Sequence, residues 1–253
     1  MLTDLAVAFA FLTRIPFQHK ERIDLHRAAR WFPLVGAVVG LISGAVFYGL
    51  SHLIPPLPSA VLALSIATLI CGGFHQDGLA DVADGVVGGW DPEQRLVILK
   101  DSRHGTYGVL ALVLQYALQI SFLASLKPIW GFVALVVAHS LARVVPVFLM
   151  AAKAAPSSIG MGAKYSSGIG ISDFVIAGVV ALLVLIASLG AIGLILIPIL
   201  IIANFLFMSY IYKKIGGLVG DVLGASEQIS ETLILLTVLI LSLHGAHLPR
   251  WIS

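Results

Sequence analysis

Charge is scarce in this chain: Asp, Glu, Lys and Arg together make up 11% of its 253 residues. A soluble domain carries about a quarter charged residues to cover its surface, so a soluble globular protein is excluded as the first reading. Cysteine is nearly absent, and the single Cys71 cannot close an internal disulfide, which excludes a disulfide scaffold. A basic excess is missing too, since a net charge of +2 is too small to attract nucleic acid. The start, Met1-Leu2-Thr3-Asp4, has no basic n-region, and no removed signal peptide is expected. What abounds is apolar: hydrophobic residues reach 59% and the mean hydropathy is +1.02. So much Leu, Ile and Val also excludes disorder.

A membrane-crossing helix needs ~20 mostly apolar residues. Segments 31–54, 59–74, 106–126, 129–150, 174–189, 192–212 and 232–248 meet that length or come near it. The expected fold is therefore all-α, a polytopic membrane bundle of about seven transmembrane helices forming a single domain over residues 1–253. An eighth apolar stretch, 5–16, is too short to cross alone and reads as a re-entrant or interfacial piece. Lys and Arg crowd into loops 17–30, 75–105, 153–173 and 213–230, whereas the opposite side holds only Lys127 and Arg250. The positive-inside rule then makes those four loops cytoplasmic. Nearly all the acids fall in, or at the edge of, the same loops, although acids do not follow that rule. A transporter would place ionisable groups near the midplane, and Arg143 is nearly the only candidate there.

The longest loop opens with Gly72-Gly73-Phe74-His75-Gln76-Asp77-Gly78-Leu79-Ala80-Asp81-Val82-Ala83-Asp84-Gly85. Asp77, Asp81 and Asp84, spaced i, i+4 and i+7, share one stripe of a helix. Three like charges repel there, and nothing in folding favours them. A hard divalent cation such as Mg²⁺ does, because it takes carboxylate oxygens and bridges to phosphate. The plain alternative is a solvated acidic helix start. Gly73 and Gly78 let a bulky ligand approach the backbone, and His75 is a contact to that ligand or an interfacial histidine. Downstream, Lys100-Asp101-Ser102-Arg103-His104-Gly105-Thr106-Tyr107-Gly108 places cations, a hydroxyl and glycines at a helix start, a pattern suited to phosphate or to simple capping. A third cluster, Gly216-Gly217-Leu218-Val219-Gly220-Asp221, repeats the spacing of Gly72 to Asp77. It suggests two acidic corners over one pocket, with Asp221 a further metal ligand and Glu227 a partner or a helix-start acid. Arg143, inside its span, must pair with an acid or reach a ligand phosphate. Lys164, in a Gly-rich loop, reads as part of a lid or as solvated.

These strings, together with Phe11-Leu12-Thr13-Arg14-Ile15-Pro16 and Phe32-Pro33-Leu34-Val35-Gly36, resemble the cobalamin synthase (adenosylcobinamide-GDP ribazoletransferase) family nearly end to end. Val219 departs from the polar residue frequent there, and His104 stands where an aliphatic residue is expected and is assigned no role. The resemblance implies an integral membrane, Mg²⁺-dependent enzyme of a bacterial or archaeal cytoplasmic membrane, active on the cytoplasmic face. It would join adenosylcobinamide-GDP with α-ribazole, or its 5′-phosphate, giving the cobalamin and GMP; lipid is a partner, nucleic acid is not, and a homo-oligomer is compatible with it. On that basis Asp77, Asp81, Asp84 and Asp221 would hold the cation, and Lys100, Ser102, Arg103 and Arg143 would neutralise phosphate oxygens beside Gly73 and Gly78. Asp101 or His75 would take the hydroxyl proton, and the two stay open. A CDP-alcohol phosphotransferase is a rival, but Ala80-Asp81 stands where its Ala-Arg belongs; a prenyltransferase would need a second Asp-x-x-x-Asp. A non-enzymatic transporter is the rival of another class, and the lopsided placement of the acids argues against it.

Overall fold

The structure, a computed structural model, describes residues 2–16, 25–101, 103–152 and 168–252. Among these the chain is helical: α1 (Leu2–Leu12), α2 (Leu25–Ala28), α3 (Phe32–Leu50), α4 (Pro56–Cys71), α5 (Phe74–Gly88), α6 (Pro92–Ile98), α7 (Thr106–Ala124), α8 (Pro128–Ala142), α9 (Val144–Ala151), α10 (Ile171–Leu189), α11 (Leu196–Ile215) and α12 (Gly220–Leu243). The expected all-α membrane bundle is what forms. Five helical stretches are long and apolar enough to cross a membrane, or six when the bent pair α4–α5 counts as one. The expected number of about seven is not reached on that count. The difference lies partly in Ile171–Ile215, an apolar run of 45 residues, which the sequence pattern divides in two. Such a run would extend roughly 68 Å at 1.5 Å per residue, about twice the hydrocarbon core. It is interrupted at Gly190, whose φ is +67°, and by a 3-10 turn over Gly190–Ile195. Exposed Ile201, Ile202, Phe205 and Leu206 on α11 suit contact with lipid. The segment at 5–16 forms a helix only to Leu12, too short to span.

The centre of the bundle is α3 packed along α8. Gly36, Gly40 and Gly44 recur every fourth residue on α3, and a Cβ on each would lie 2.0 Å from the His139 carbonyl oxygen, 2.6 Å from that of Leu135 and 2.9 Å from that of Phe132. Hydrophobic burial cannot drive association within lipid, so close backbone approach over small residues supplies the van der Waals contact instead. The opposite end of α3 offers Phe47, whose ring fills the space over Gly131.

Three local devices position the polar groups. The chain turns by 92° between α4 and α5, through Gly72 and Gly73, whose φ values of +69° and +71° only glycine adopts without strain. Pro146 removes the amide that would bond to Ala142, and α8 gives way to α9 there, with Arg143 at the break. Finally, α5 crosses α12 closely: a Cβ on Gly78 would sit 2.7 Å from the Asp221 carbonyl oxygen, and one on Gly224 would sit 3.1 Å from that of His75.

Candidate active site

The α5 stripe does form, but its three carboxylates divide into two tasks. Asp77 and Asp81 face His104: Nε2 of the imidazole is 3.6 Å from Asp77 Oδ1, and Nδ1 is 3.6 Å from Asp81 Oδ1. One donor atom from each of these three residues lies within 4.8 Å of the other two. Asp84 is buried and turned to α7, where its carboxylate accepts from the amides of Gly105 at 2.6 Å and Gly108 at 2.9 Å. It satisfies the orphan donors of the helix start and suits the positive end of the dipole. Gly105 and Gly108 are required for this, since a Cβ on either would lie within 2.5 Å of an Asp84 oxygen. The amides read from sequence as a phosphate cradle are thus occupied by Asp84, and Asp84 is not part of the group close enough to share one ion.

Asp221 stands in the first turn of α12, brought beside α5 by the Gly78 crossing, where it feels the charges of Asp81 and Asp77. The two acidic corners therefore do meet. The loop cations are differently placed. Lys100 and Arg103 are exposed, and Arg103 clasps Asp101 with two guanidinium bonds, of 3.0 and 2.7 Å. Those bonds hold the Asp101 carboxyl at about 2, well below the usual carboxylate range. Ser102 and Lys164 lie outside the described residues. Gly73 borders an open groove, and Gly78 packs against the Asp221 backbone while lining a pocket beside it.

Arg143 is 1% exposed, with its Nη1 3.2 Å from Glu227 Oε1, 3.4 Å from Glu231 Oε1 and 2.5 Å from the His139 carbonyl, and its Nη2 reaching Cys71 Sγ at 3.4 Å. His139 Nδ1 meets Glu231 Oε1 at 2.5 Å, His75 Nδ1 lies 3.6 Å from Glu227 Oε2, and Gln228 bonds both glutamates and Gln115. The requirement that Arg143 find an acid is met from α12. Glu227 and Glu231, expected at the edge of a loop, instead lie two and three turns inside α12 and are buried. His139 was not singled out from sequence; a histidine one turn before a buried Arg on an apolar helix was the available signal. The space among these groups is only about 10 Å³, less than a water needs with room to move. It is a tightly packed ionic core.

Two larger spaces flank Asp77. A partly open pocket of about 180 Å³ is walled by Phe11, Phe32, Phe74, Met150 and Leu223, with Asp77, Asp221, His75 and Arg143 as its polar members. An open groove of about 580 Å³ is bounded by Arg14, Gly72, Gly73, Asp77 and His104.

Fold and site together define a polytopic helical membrane protein with an acid–imidazole cluster between an apolar cavity and an open groove. The chain belongs to the cobalamin-5-phosphate synthase family, whose family model matches residues 4–239. It is similar to a Shewanella baltica (strain OS185) protein named adenosylcobinamide-GDP ribazoletransferase, 37% identical over 242 residues and 92% of each chain. A Shewanella halifaxensis (strain HAW-EB4) protein of the same name is 39% identical over 245 residues, 93% of this chain and 94% of its own. No solved structure matches the chain.

Proposed function

We propose that this chain is a membrane transferase that joins adenosylcobinamide-GDP to α-ribazole, or to its 5′-phosphate, and releases GMP at the cytoplasmic face of the cell membrane. The family and the relatives' names support the reaction. The observation that carries the site is the convergence of Asp77, Asp81 and His104 within 4.8 Å beside two cavities.

The residues fit a divalent cation by their donors: Asp77 and Asp81 offer hard oxygens of the kind Mg²⁺ takes, with Asp221 near, while the His104 nitrogen suits a softer metal. When bound, such an ion would supply charge neutralisation to a diphosphate. The rest falls to the protein. In the reaction the ribose hydroxyl oxygen bonds to the cobinamide-side phosphorus, the anhydride bond to GMP breaks, and GMP leaves with the electron pair. Transfers of this kind depend on positioning and electrostatics more than on covalent chemistry. The hydroxyl proton needs an acceptor. His75 lines the same cavity as Asp77, whereas the Asp101 carboxylate is held by Arg103, so His75 is the better placed of the two.

The test is GMP release from adenosylcobinamide-GDP and α-ribazole by membranes containing the protein. Asp81→Asn, which changes one charge and almost no volume, is expected to lower the rate at least a hundredfold at equal protein. Near-normal release would remove the site.

A further inference from the structure

Asp77, Phe11 and Phe74 border both the apolar pocket and the open groove. A two-substrate transfer needs its reacting atoms to meet at one place, and Asp77 marks the place common to both spaces. We infer that the two spaces divide the substrates: the apolar pocket takes the aromatic base of the acceptor nucleoside, and the Arg14 groove takes the diphosphate of the donor. This rests on the function proposed above and adds to it where each substrate binds.

Size and chemistry assign the apolar pocket. Apolar cavities near 150 Å³ accept benzene, so 180 Å³ suits a flat bicyclic base and is far too small for a corrin ring. Phe11 stacks on Phe32 at 5.7 Å with an interplanar angle of 11°, and Phe74 meets the Phe11 edge at 5.3 Å, so the wall is already an aromatic one. Rings favour such stacked and edge-on neighbours. The lining is mainly apolar, which suits a methylated benzimidazole better than a guanine with its amide and amino groups. The methylated benzimidazole of α-ribazole carries one free acceptor, its imine nitrogen. Arg143, in the same wall, carries one buried donor, Nε, with no partner among the described residues.

Charge assigns the groove. Its rim holds Arg14, which is exposed and has no ion pair among the described residues. The Arg14 amide donates to the Ile70 carbonyl at 2.6 Å, and its side chain lies over Gly72, where a Cβ would come 2.2 Å from Nε. The end of α1 is thereby fixed against the α4–α5 turn, with a guanidinium set across the groove from Asp77 and His104. A guanidinium fork matches phosphate oxygens, and Arg14 shares the groove with Asp77 and His104, so a diphosphate there would meet the guanidinium as well as a cation held by the acid–imidazole cluster.

The experiment uses the full chain in phospholipid nanodiscs, free dimethylbenzimidazole as the binding probe with guanosine as control, and steady-state rates with each substrate varied in turn. Wild-type protein is expected to bind the base and not guanosine. Leu223→Trp, which fills the cavity from a half-buried position, is expected to weaken base binding and raise KM for α-ribazole at least tenfold, with KM for the donor within twofold. Leu223→Ala enlarges the cavity without crowding it and should weaken base binding several-fold, which covers the case in which the Trp variant fails to accumulate. Arg14→Ala should give the reverse signature, a donor KM raised at least tenfold and base binding unchanged. Base binding indifferent to Leu223, or a donor KM that follows Leu223, overturns the division. Absence of GMP release by the wild type would instead overturn the function, because base binding is read without turnover.

Discussion

Asp81 and Asp84 sit one turn apart on α5 and differ in what surrounds them. Asp81 is partly exposed beside His104, whereas each Asp84 oxygen accepts from a backbone amide at the start of α7. Their replacement should therefore separate activity from stability. Asp84→Asn is expected to lower stability by about 1–3 kcal/mol, the cost of leaving a buried amide without its charged acceptor, seen as a lower temperature for detergent-solubilised aggregation. Asp81→Asn should leave that temperature unchanged while turnover falls; equal thermal losses in both would contradict the assignment. The stripe itself was legible from the i, i+4, i+7 spacing. The task of Asp84 was not, because its partners lie 21 and 24 residues away and only the fold brings them together. His104 was passed over because it departs from an aliphatic expectation, and its value became visible only between two carboxylates.

At the scale of elements, the α3–α8 contact and the ionic core on α12 are the parts most open to test. Gly40 lies in the middle of the α3 stripe, where a Cβ would come 2.6 Å from backbone atoms of α8. Gly40→Val should force the two helices apart and deplete folded protein from membranes, whereas Gly49→Val, at a position with nothing within 4 Å, should not. The stripe was present in the sequence as a G-x-x-x-G spacing, yet hydropathy alone gives no hint of which helix it faces. Breaking the ionic core by Arg143→Met leaves Glu227 buried without its cation, at an expected cost of about 3–5 kcal/mol. Thermal unfolding in detergent measures it, and a loss below about 1 kcal/mol would show the pair to be dispensable. That Arg143 needs an acid follows from its place in an apolar helix. That the acid comes from α12 does not, because Glu227 and Glu231 read equally well as the start of the last helix.

For the whole molecule, the apolar helices and the distribution of Lys and Arg predict an orientation that labelling can test. Cys71, the single cysteine, is buried in the bundle, so background reaction with an impermeant maleimide should be low. Lys100→Cys is expected to label only in inside-out vesicles and Lys127→Cys only in right-side-out ones; both positions are exposed. Labelling of the two from the same side would reverse part of the topology. The membrane class and helical content were legible from composition. The number of crossings was not, because runs broken by Gly190 and by the Gly72–Gly73 turn look alike in hydropathy, and the 92° bend is a property of the fold. The account as a whole stands on two aspartates holding a cation that would neutralise a diphosphate at the boundary of the bundle. Its most direct measurement is GMP release by the purified chain in lipid, given both substrates, with and without a chelator, for wild type and for Asp77→Asn. The account predicts release that stops on chelation, returns with added Mg²⁺ and is lost in the variant; undiminished release after chelation or from the variant would contradict it.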